Sequence, residues 1–270
     1  MAPRDGRAKS VFMYPKYSYP LNVIVGLIRD AIFLRPRVFR DDARAAVSRL
    51  DPPLRVFGEE NIPQDGPCVI TVNHYFRPGG SMAPWRHFAA QWLAIAISSV
   101  VPKNVHWIMT GELTFPGDWY APIGMPISRF ILNRGARVYG FTTMPPMPPR
   151  PRDVEARAAS VRAVLDFVMR AENPITGLAP EGGDQPGGVL TMPASGVGRF
   201  ALLLAAQRLK FVPAGIYEAD GELCLKFGEA YELSAPDNLS ADEKDKRAAQ
   251  IIMKNIAPLL PSNLRGEFRG

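Results

Sequence analysis

Two short segments carry side chains suited to acid–base chemistry. The apolar run "VITV" ends in Asn73 and His74, and "ITGLAPEGG" delivers Glu181 to a turn that contains Gly182 and Gly183. A neutral imidazole accepts a proton near neutral pH, because its unperturbed pKa is about 6.5. In α/β sheets, ligands collect beyond the carboxyl ends of the strands. We therefore expect His74 and Glu181 to share one cleft.

The sequence lacks the motifs of several other kinds of chemistry. There is no phosphate-binding P-loop and no dinucleotide G-x-G-x-x-G after an early strand. The segment "PASGVG" has Pro193 and Val197 where a serine nucleophile elbow requires glycines. The two cysteines, Cys68 and Cys224, lie in apolar strand-like runs, which is typical of buried free thiols in a reducing compartment. We expect no metal site.

Composition limits the partners. With 270 residues, 47% hydrophobic and 21% charged, the chain has the composition of a globular protein. A net charge of +6 permits nucleic acid or an anionic membrane surface as a partner. Zinc-ligand pairs, an aromatic RNA-binding strand and a basic tail are all missing, so nucleic acid is not expected. The N-terminus lacks a secretion signal, and we expect a cytoplasmic protein associated peripherally with a membrane.

Residues 21–34, "LNVIVGLIRDAIFL", form an apolar run with the charged pair Arg29-Asp30 inside it. Its 14 residues are too few to cross a bilayer, which needs about 20. Basic residues, among them Lys16 and Arg35, flank the run, and tyrosines precede it. The pattern is typical of a helix lying on a membrane surface, and equally of a helix packed on the domain.

Apolar periodicity predicts strands that alternate with helices. Strands are predicted at both ends of "RVFGEENIPQDGPCVITVNH", at 107–109, and in "GARVYGF", "ITGL", "KFVPAGIYE" and "ELCLKF". Helices are predicted at 85–101, at 154–172, in "GVGRFALLLAAQRL" and at 240–257, whereas "GELTFPGDWYAPIGMP" and the proline-dense 142–153 are predicted as loops. The alternation indicates an α/β domain over residues 51–270, with a mixed central sheet flanked by helices. Residues 1–50 are predicted as a helical, membrane-docking segment.

Four motifs in register resemble the glycerolipid acyltransferase family. "FGEENIPQDGPCVITVNH" resembles that family's entry strand ending in Asn-His, and "GELTFPGDWYAPIG" is similar to its block with a Glu-Leu pair. "GLAPEGG" resembles its Phe-Pro-Glu-Gly turn, and "GVGRFALLLAAQRLKFVPAGIYE" the helix and Val-Pro strand that follow. The resemblance covers roughly residues 54–218.

The resemblance implies transfer of a fatty acyl group from acyl-CoA or acyl carrier protein to the hydroxyl of a lipid-like acceptor, with no bound cofactor. His74 would be the general base. Glu181, between Pro180 and Gly182, would bind the acceptor. Asn73 and nearby backbone amides would steady the developing oxyanion.

The chain departs from the family pattern at three places. Gly79 stands where the family has an aspartate that orients the histidine, and Glu112 and Asp184 are candidates to replace it. The turn continues with Gly183-Asp184 instead of Thr-Arg or Ser-Arg. The middle motif has no arginine at its end and offers Arg137 within "GARVYGFTT" as a substrate-binding residue. Lysophosphatidic acid is therefore not the expected acceptor.

Two alternatives to a lipid O-acyltransferase remain open. The first is a non-catalytic lipid- or acyl-chain-binding protein on the acyltransferase fold, which Gly79 favours. The retained Asn73-His74 and Pro180-Glu181-Gly182 oppose it, because a binding protein has no need of both. The second is an enzyme that transfers an acyl group to a sugar or an amine.

Overall fold

The computed structural model describes residues 15–75, 91–115, 119–147, 150–183 and 185–269. Over these ranges the chain forms seven α-helices: α1 Leu21–Phe33, α2 Phe39–Val47, α3 Gln91–Val100, α4 Ala121–Tyr139, α5 Val154–Arg170, α6 Val197–Ala205 and α7 Ala241–Ile256. The same ranges contain seven strands: β1 Arg55–Phe57, β2 Cys68–Val72, β3 His106–Thr110, β4 Thr142–Met144, β5 Ile175–Leu178, β6 Lys210–Ala219 and β7 Glu222–Phe227.

The strands form one mixed sheet in the order β1-β7-β6-β2-β5-β3-β4. Five neighbouring strands, β6, β2, β5, β3 and β4, run parallel to one another, while β7 forms an antiparallel hairpin with β6. All five residues of β2 are buried, as expected for a central parallel strand covered on both faces. The carboxyl ends of the five parallel strands consequently meet at one edge of the sheet.

Helices cover both faces of the sheet. On one face, α2 and α3 pack over β2, with Ala43, Ala46, Trp92 and Ile97 buried in a shared core. On the other face, α5, α6 and α7 bury a second core, which includes Val164. The architecture is a single α/β domain with a mixed sheet flanked by helices, as predicted. Because α2 contributes to the first core, residues 39–47 pack on the same domain as the sheet.

Both cysteines are buried free thiols, as predicted. Burial, with a smaller contribution from the charge of Asp65, raises the pKa of the Cys68 thiol to about 12. The thiolate is the reactive form of cysteine, so Cys68 is unreactive at neutral pH.

The predictions for the middle of the chain need correction. "GARVYGF" was expected to be a strand, but residues 135–139 are the end of α4, and the helix is capped by Gly140 with φ 69° and ψ 30°. A glycine in this left-handed conformation is a common helix C-cap. The segment "APIGMP", expected to be a loop, starts α4 and places Pro126 inside it. The predicted loop 142–153 begins with strand β4.

The N-terminal apolar run is helical, as α1, and its charged pair is neutralised internally. Asp30 is buried and accepts hydrogen bonds from Arg29 and Arg37. These bonds, that from Arg29 first, lower the pKa of Asp30 to about 2. Within the described ranges, no helix combines the length and apolar character needed to cross a membrane.

Candidate active site

Parallel pairing of β2 with β5 brings the two predicted site segments side by side. Thr71 pairs with Leu178, and His74 and Glu181 each lie three residues farther along their chains. The backbone N–H of His74 donates a 2.6 Å hydrogen bond to Oε2 of Glu181. This contact confirms the expected proximity of the two residues.

The Glu181 carboxylate connects two backbone segments. Its Oε1 accepts a 3.2 Å hydrogen bond from the N–H of Thr191, and its Oε2 accepts the bond from His74. The side chain is buried, and hydrogen bonds to a charged group contribute more than those between neutral groups. Glu181 therefore fixes the backbone at His74, a positioning contact that its expected role in acceptor binding did not include.

Asn73 is held by the neighbouring strand on the other side. Its side-chain Nδ2 donates to the carbonyl of Ile216 at 2.9 Å, and its Oδ1 accepts from the N–H of Ile216 at 2.8 Å. With 2% of its surface exposed, Asn73 extends the β2–β6 pairing by means of its side chain. We expected this carboxamide to steady the oxyanion of the reacting substrate. Its oxygen and its NH₂ group are instead both hydrogen-bonded to the backbone of Ile216.

The residue after the histidine is fixed by a third set of contacts. The Tyr75 hydroxyl lies 2.6 Å from the Tyr17 hydroxyl, and both hydroxyls donate to Oε1 of Glu218. Burial raises the pKa of Tyr75 well above its usual range, so this side chain remains a neutral donor. Three consecutive residues, 73–75, are thus anchored to β6, to the Glu181 turn and to the N-terminal segment.

Glu112, a candidate to replace the absent aspartate, forms ion pairs with two arginines. Its side chain is 3% exposed, and its carboxylate accepts from Arg129 Nε at 2.8 Å and from Arg150 Nη1 at 3.0 Å. Burial acts to raise the pKa of Glu112, but the hydrogen bonds and charges of the two arginines outweigh it, and the pKa is lowered. Both oxygens of Glu112 thus accept from arginines, and its role in orienting the His74 ring stays a prediction.

An apolar cleft of about 140 Å³ borders the Glu181 turn, with Pro180 and Gly182 in its wall. Gly182 has φ 71°, and a Cβ there would lie 2.6 Å from Cγ of Met147. The turn thus requires glycine at this position. The other apolar side chains of the wall include Ile108, Met144, Met147, Leu178 and Phe200. A wall of this kind suits an aliphatic chain.

Of the remaining predicted residues, the structure describes Arg137, and it does not line the apolar cleft. Arg137 is exposed on the last turn of α4, and the described part of the chain shows no hydrogen bond or ion pair from its guanidinium. Asp184 and Gly79 lie outside the described residues. Among the residues that the structure describes, no group of three or more His, Cys, Asp or Glu side chains is arranged to bind a metal.

Sequence reasoning missed two groups at this edge of the sheet. Glu218 is the last residue of the predicted strand "KFVPAGIYE", and Glu181 likewise follows a predicted strand. A carboxylate at the carboxyl end of a strand could therefore have identified Glu218 from the sequence. Arg129 and Arg150 lie 17 and 38 residues from Glu112, and no local pattern marks them as its partners.

Comparisons with known proteins give a distant structural likeness. No protein-family model matches the chain, and no curated protein sequence matches it. Among solved structures, the chain is similar to the 1-acyl-sn-glycerophosphate (LPA) acyltransferase PlsC from Thermotoga maritima, with 14% sequence identity and a TM-score of 0.49. The match covers 88% of this chain and 91% of that chain.

Proposed function

We propose that this protein is an O-acyltransferase that moves a fatty acyl group from acyl-CoA or acyl carrier protein to the hydroxyl of a lipid-like acceptor. The observation that carries the proposal is the hydrogen bond from the His74 backbone to Glu181 at the ends of neighbouring parallel strands. It joins the two motif residues on which the acyltransferase resemblance depends, next to an apolar cleft.

The proposed reaction needs a base and room for an acyl chain. His74 removes the proton of the acceptor hydroxyl while the hydroxyl oxygen attacks the thioester carbonyl carbon. A carbon–oxygen bond forms, the carbon–sulfur bond breaks, and the proton passes from His74 to the departing thiolate. The apolar cleft beside Pro180 and Gly182 holds the part of the aliphatic chain nearest the thioester during this transfer.

Preorganisation supports this role for His74. Its backbone is fixed by Glu181, and its neighbours Asn73 and Tyr75 are fixed by Ile216 and Glu218. Holding reacting groups in a productive geometry lowers the entropic part of the barrier. The three anchors fix the backbone from which the imidazole projects, and they do so without the aspartate at position 79.

The test is the substitution His74→Ala, assayed by acyl-CoA consumption with a panel of lipid hydroxyl acceptors. We expect a loss of turnover of about 10²-fold or more, since positioned acid–base catalysis contributes about 10² to 10⁴. Added imidazole should restore part of the activity in the cavity that the substitution leaves. Full turnover by His74→Ala would remove His74 from the mechanism. Co-purifying acyl chains without wild-type turnover would instead support the non-catalytic binding protein.

We also propose that the protein docks on an anionic membrane surface through α1 and α4. Two residues of α4, Ile127 and Phe130, are exposed, and Arg134 of the same helix donates 2.9 and 3.1 Å hydrogen bonds to the α1 carbonyls of Ala31 and Ile32. Together these helices expose Leu21, Val25, Ile28, Ile32, Phe33, Ile123, Ile127, Phe130 and Ile131, which we call the α1–α4 surface.

Charge at this surface fits an anionic leaflet. The guanidinium of Arg134 lies 5.1 Å from the centroid of the Phe130 ring, and that of Arg35 lies 5.3 Å from the Phe33 ring. Exposed apolar side chains interleaved with cations are typical of helices that enter the headgroup region of a bilayer. We propose that the protein is bound peripherally through this surface, on the cytoplasmic side of a membrane.

Flotation with anionic liposomes tests this docking. The double substitution Ile28→Glu and Ile127→Glu should abolish binding, because it places one carboxylate on each helix of the surface. Met169→Glu is the matched control, since Met169 is an exposed apolar residue on α5, outside the α1–α4 surface. If the double variant floats as well as the control, the surface is not the membrane contact.

A further inference from the structure

A second cavity runs along α5, beside the apolar cleft. Its volume is about 500 Å³, and Arg150, Arg157 and Arg162 are among the residues that line it. The rest of its wall is apolar and consists of Val154, Ala158, Val161, Leu165 and Leu203. We call this cavity the α5 groove. Three cations and no carboxylate line it, so its chemistry is that of an anion-binding site with an apolar floor.

The three arginines differ in how far their charge is neutralised. Arg150 forms ion pairs with Glu112 and Asp153. Arg157 donates instead to the carbonyls of Pro145 and Pro146, at 3.2 and 2.9 Å. Within the part of the chain that the structure describes, no carboxylate forms an ion pair with Arg157.

A partly buried cation that forms no ion pair is stabilised when an anion binds beside it. Burial lowers the pKa of Arg157, and the charge of Arg150 acts in the same direction while Asp153 opposes it. A guanidinium remains charged at all physiological pH values even so. An anion that bound in the groove would therefore stabilise the partly desolvated guanidinium of Arg157.

We propose that the α5 groove binds a phosphoryl group of a substrate, with Arg157 and Arg162 as its direct partners. The planar guanidinium matches phosphate oxygens through paired N–H donors. The apolar floor accommodates the carbon skeleton attached to the phosphate. Inorganic phosphate alone would not use that floor, so the expected ligand is a phosphate ester.

The groove borders the apolar cleft of the proposed reaction site, which is why we assign it to a substrate. Arg157 and Val161 line both the groove and the apolar cleft, and the cleft reaches Pro180 and Gly182 on either side of Glu181. The phosphate site itself does not depend on the proposed function. Only the statement that its ligand is a substrate rests on that function. Two sources of the phosphate ester fit the position: the phosphates of coenzyme A, or a phosphate headgroup on the acceptor.

Calorimetric titration of the full chain with coenzyme A and, separately, with glycerol 3-phosphate distinguishes the sources without requiring turnover. Arg162→Gln should raise the Kd of the true ligand about tenfold, the effect of losing one charge-assisted contact. Arg157→Gln should raise it at least as much. Because Arg157 also contacts backbone carbonyls, the exposed Arg162 keeps the test valid if Arg157→Gln fails to fold. Arg170→Gln removes the same charge about 12 Å farther along α5 and is the matched control.

Each outcome has a definite meaning. Weaker binding of coenzyme A alone assigns the groove to the acyl donor, and weaker binding of glycerol 3-phosphate alone assigns it to the acceptor. Equal affinities for Arg162→Gln and Arg170→Gln, or no binding of either compound by the wild-type protein, would overturn the inference. Arginine-dependent binding in a protein without acyl transfer would leave the groove intact and refute the proposed function instead.

Discussion

Substitution of Glu181 by glutamine separates a positioning role at His74 from a general contribution to stability. The carboxylate accepts from two backbone N–H groups, those of His74 at 2.6 Å and Thr191 at 3.2 Å. A glutamine side chain has one oxygen and one NH₂ group. It can accept one of these bonds, and it turns a donor toward the other N–H.

The expected magnitude follows from that mismatch. A buried donor left without an acceptor costs about 1–3 kcal/mol, so Glu181→Gln should lower the free energy of unfolding by that amount. The larger effect is expected in turnover. A displacement of the base by about 1 Å lowers the rate by roughly 10²-fold, which corresponds to about 2.7 kcal/mol in the activation barrier.

Asp245→Asn is the matched control for this experiment. Asp245 is also buried, and its carboxylate accepts from the backbone N–H groups of Gly196 and Arg199, both at 2.7 Å. The same chemical change at the N-terminus of α6 should cost a similar free energy of unfolding. Chemical denaturation and steady-state acyl transfer, measured on both variants, give the two quantities.

The comparison is decisive because it uses the ratio of the two activities. We expect Glu181→Gln to lose at least tenfold more turnover per folded molecule than Asp245→Asn. Equal losses in both variants would show that Glu181 acts through stability alone. Wild-type turnover in Glu181→Gln would refute the positioning role altogether.

Three further predictions concern the framework of the site. Burial lowers the pKa of His106 to about 4, against a smaller opposing effect of its backbone hydrogen bond with Gly140. As the pH decreases, His106 is therefore protonated at a pH of about 6.5 in the unfolded chain, before it is protonated in the folded protein. The contribution of His106 to the unfolding free energy is complete above that pH, falls as the pH decreases toward 4, and should drop by about 2 kcal/mol between pH 7.5 and 5. His106→Gln, measured by denaturant unfolding at both values, should lack that part of the decrease, and an unchanged pH dependence would contradict the assignment. Tyr75→Phe removes one donor to the half-buried Glu218 and should cost about 1–3 kcal/mol; an unchanged melting temperature would show that the contact contributes nothing to stability. Gly198→Ala places a Cβ against the carbonyl oxygen of Asp245 and should destabilise the α6–α7 packing by about 1–3 kcal/mol, whereas Gly135→Ala, with open space around its Cβ, should not lower the melting temperature.

Local sequence patterns were sufficient to predict most of the elements and the position of the site. The apolar run at 68–72 and the segment "ITGL" predicted two buried strands, and His74 and Glu181 follow those strands by only a few residues. Parallel strands present their carboxyl ends at one edge of a sheet, so a shared location for these side chains was predictable without coordinates. The same reasoning was weakest at α4, because "ARVYGF" is equally compatible with a strand and with the end of a helix, and only the capping conformation of Gly140 distinguishes them.

The partners of the site residues were decided by the tertiary structure. Asn73 pairs with Ile216, which is 143 residues away, and Tyr75 pairs with Glu218 at the same separation. Glu112 was expected near His74, but it is neutralised by Arg129 and Arg150, which packing of α4 and of the segment before α5 brings to the end of β3. Periodicity reports which face of an element is buried, since that depends on residues within a few turns. Which charges meet depends instead on strand register and helix packing between distant segments, and no local pattern contains that information.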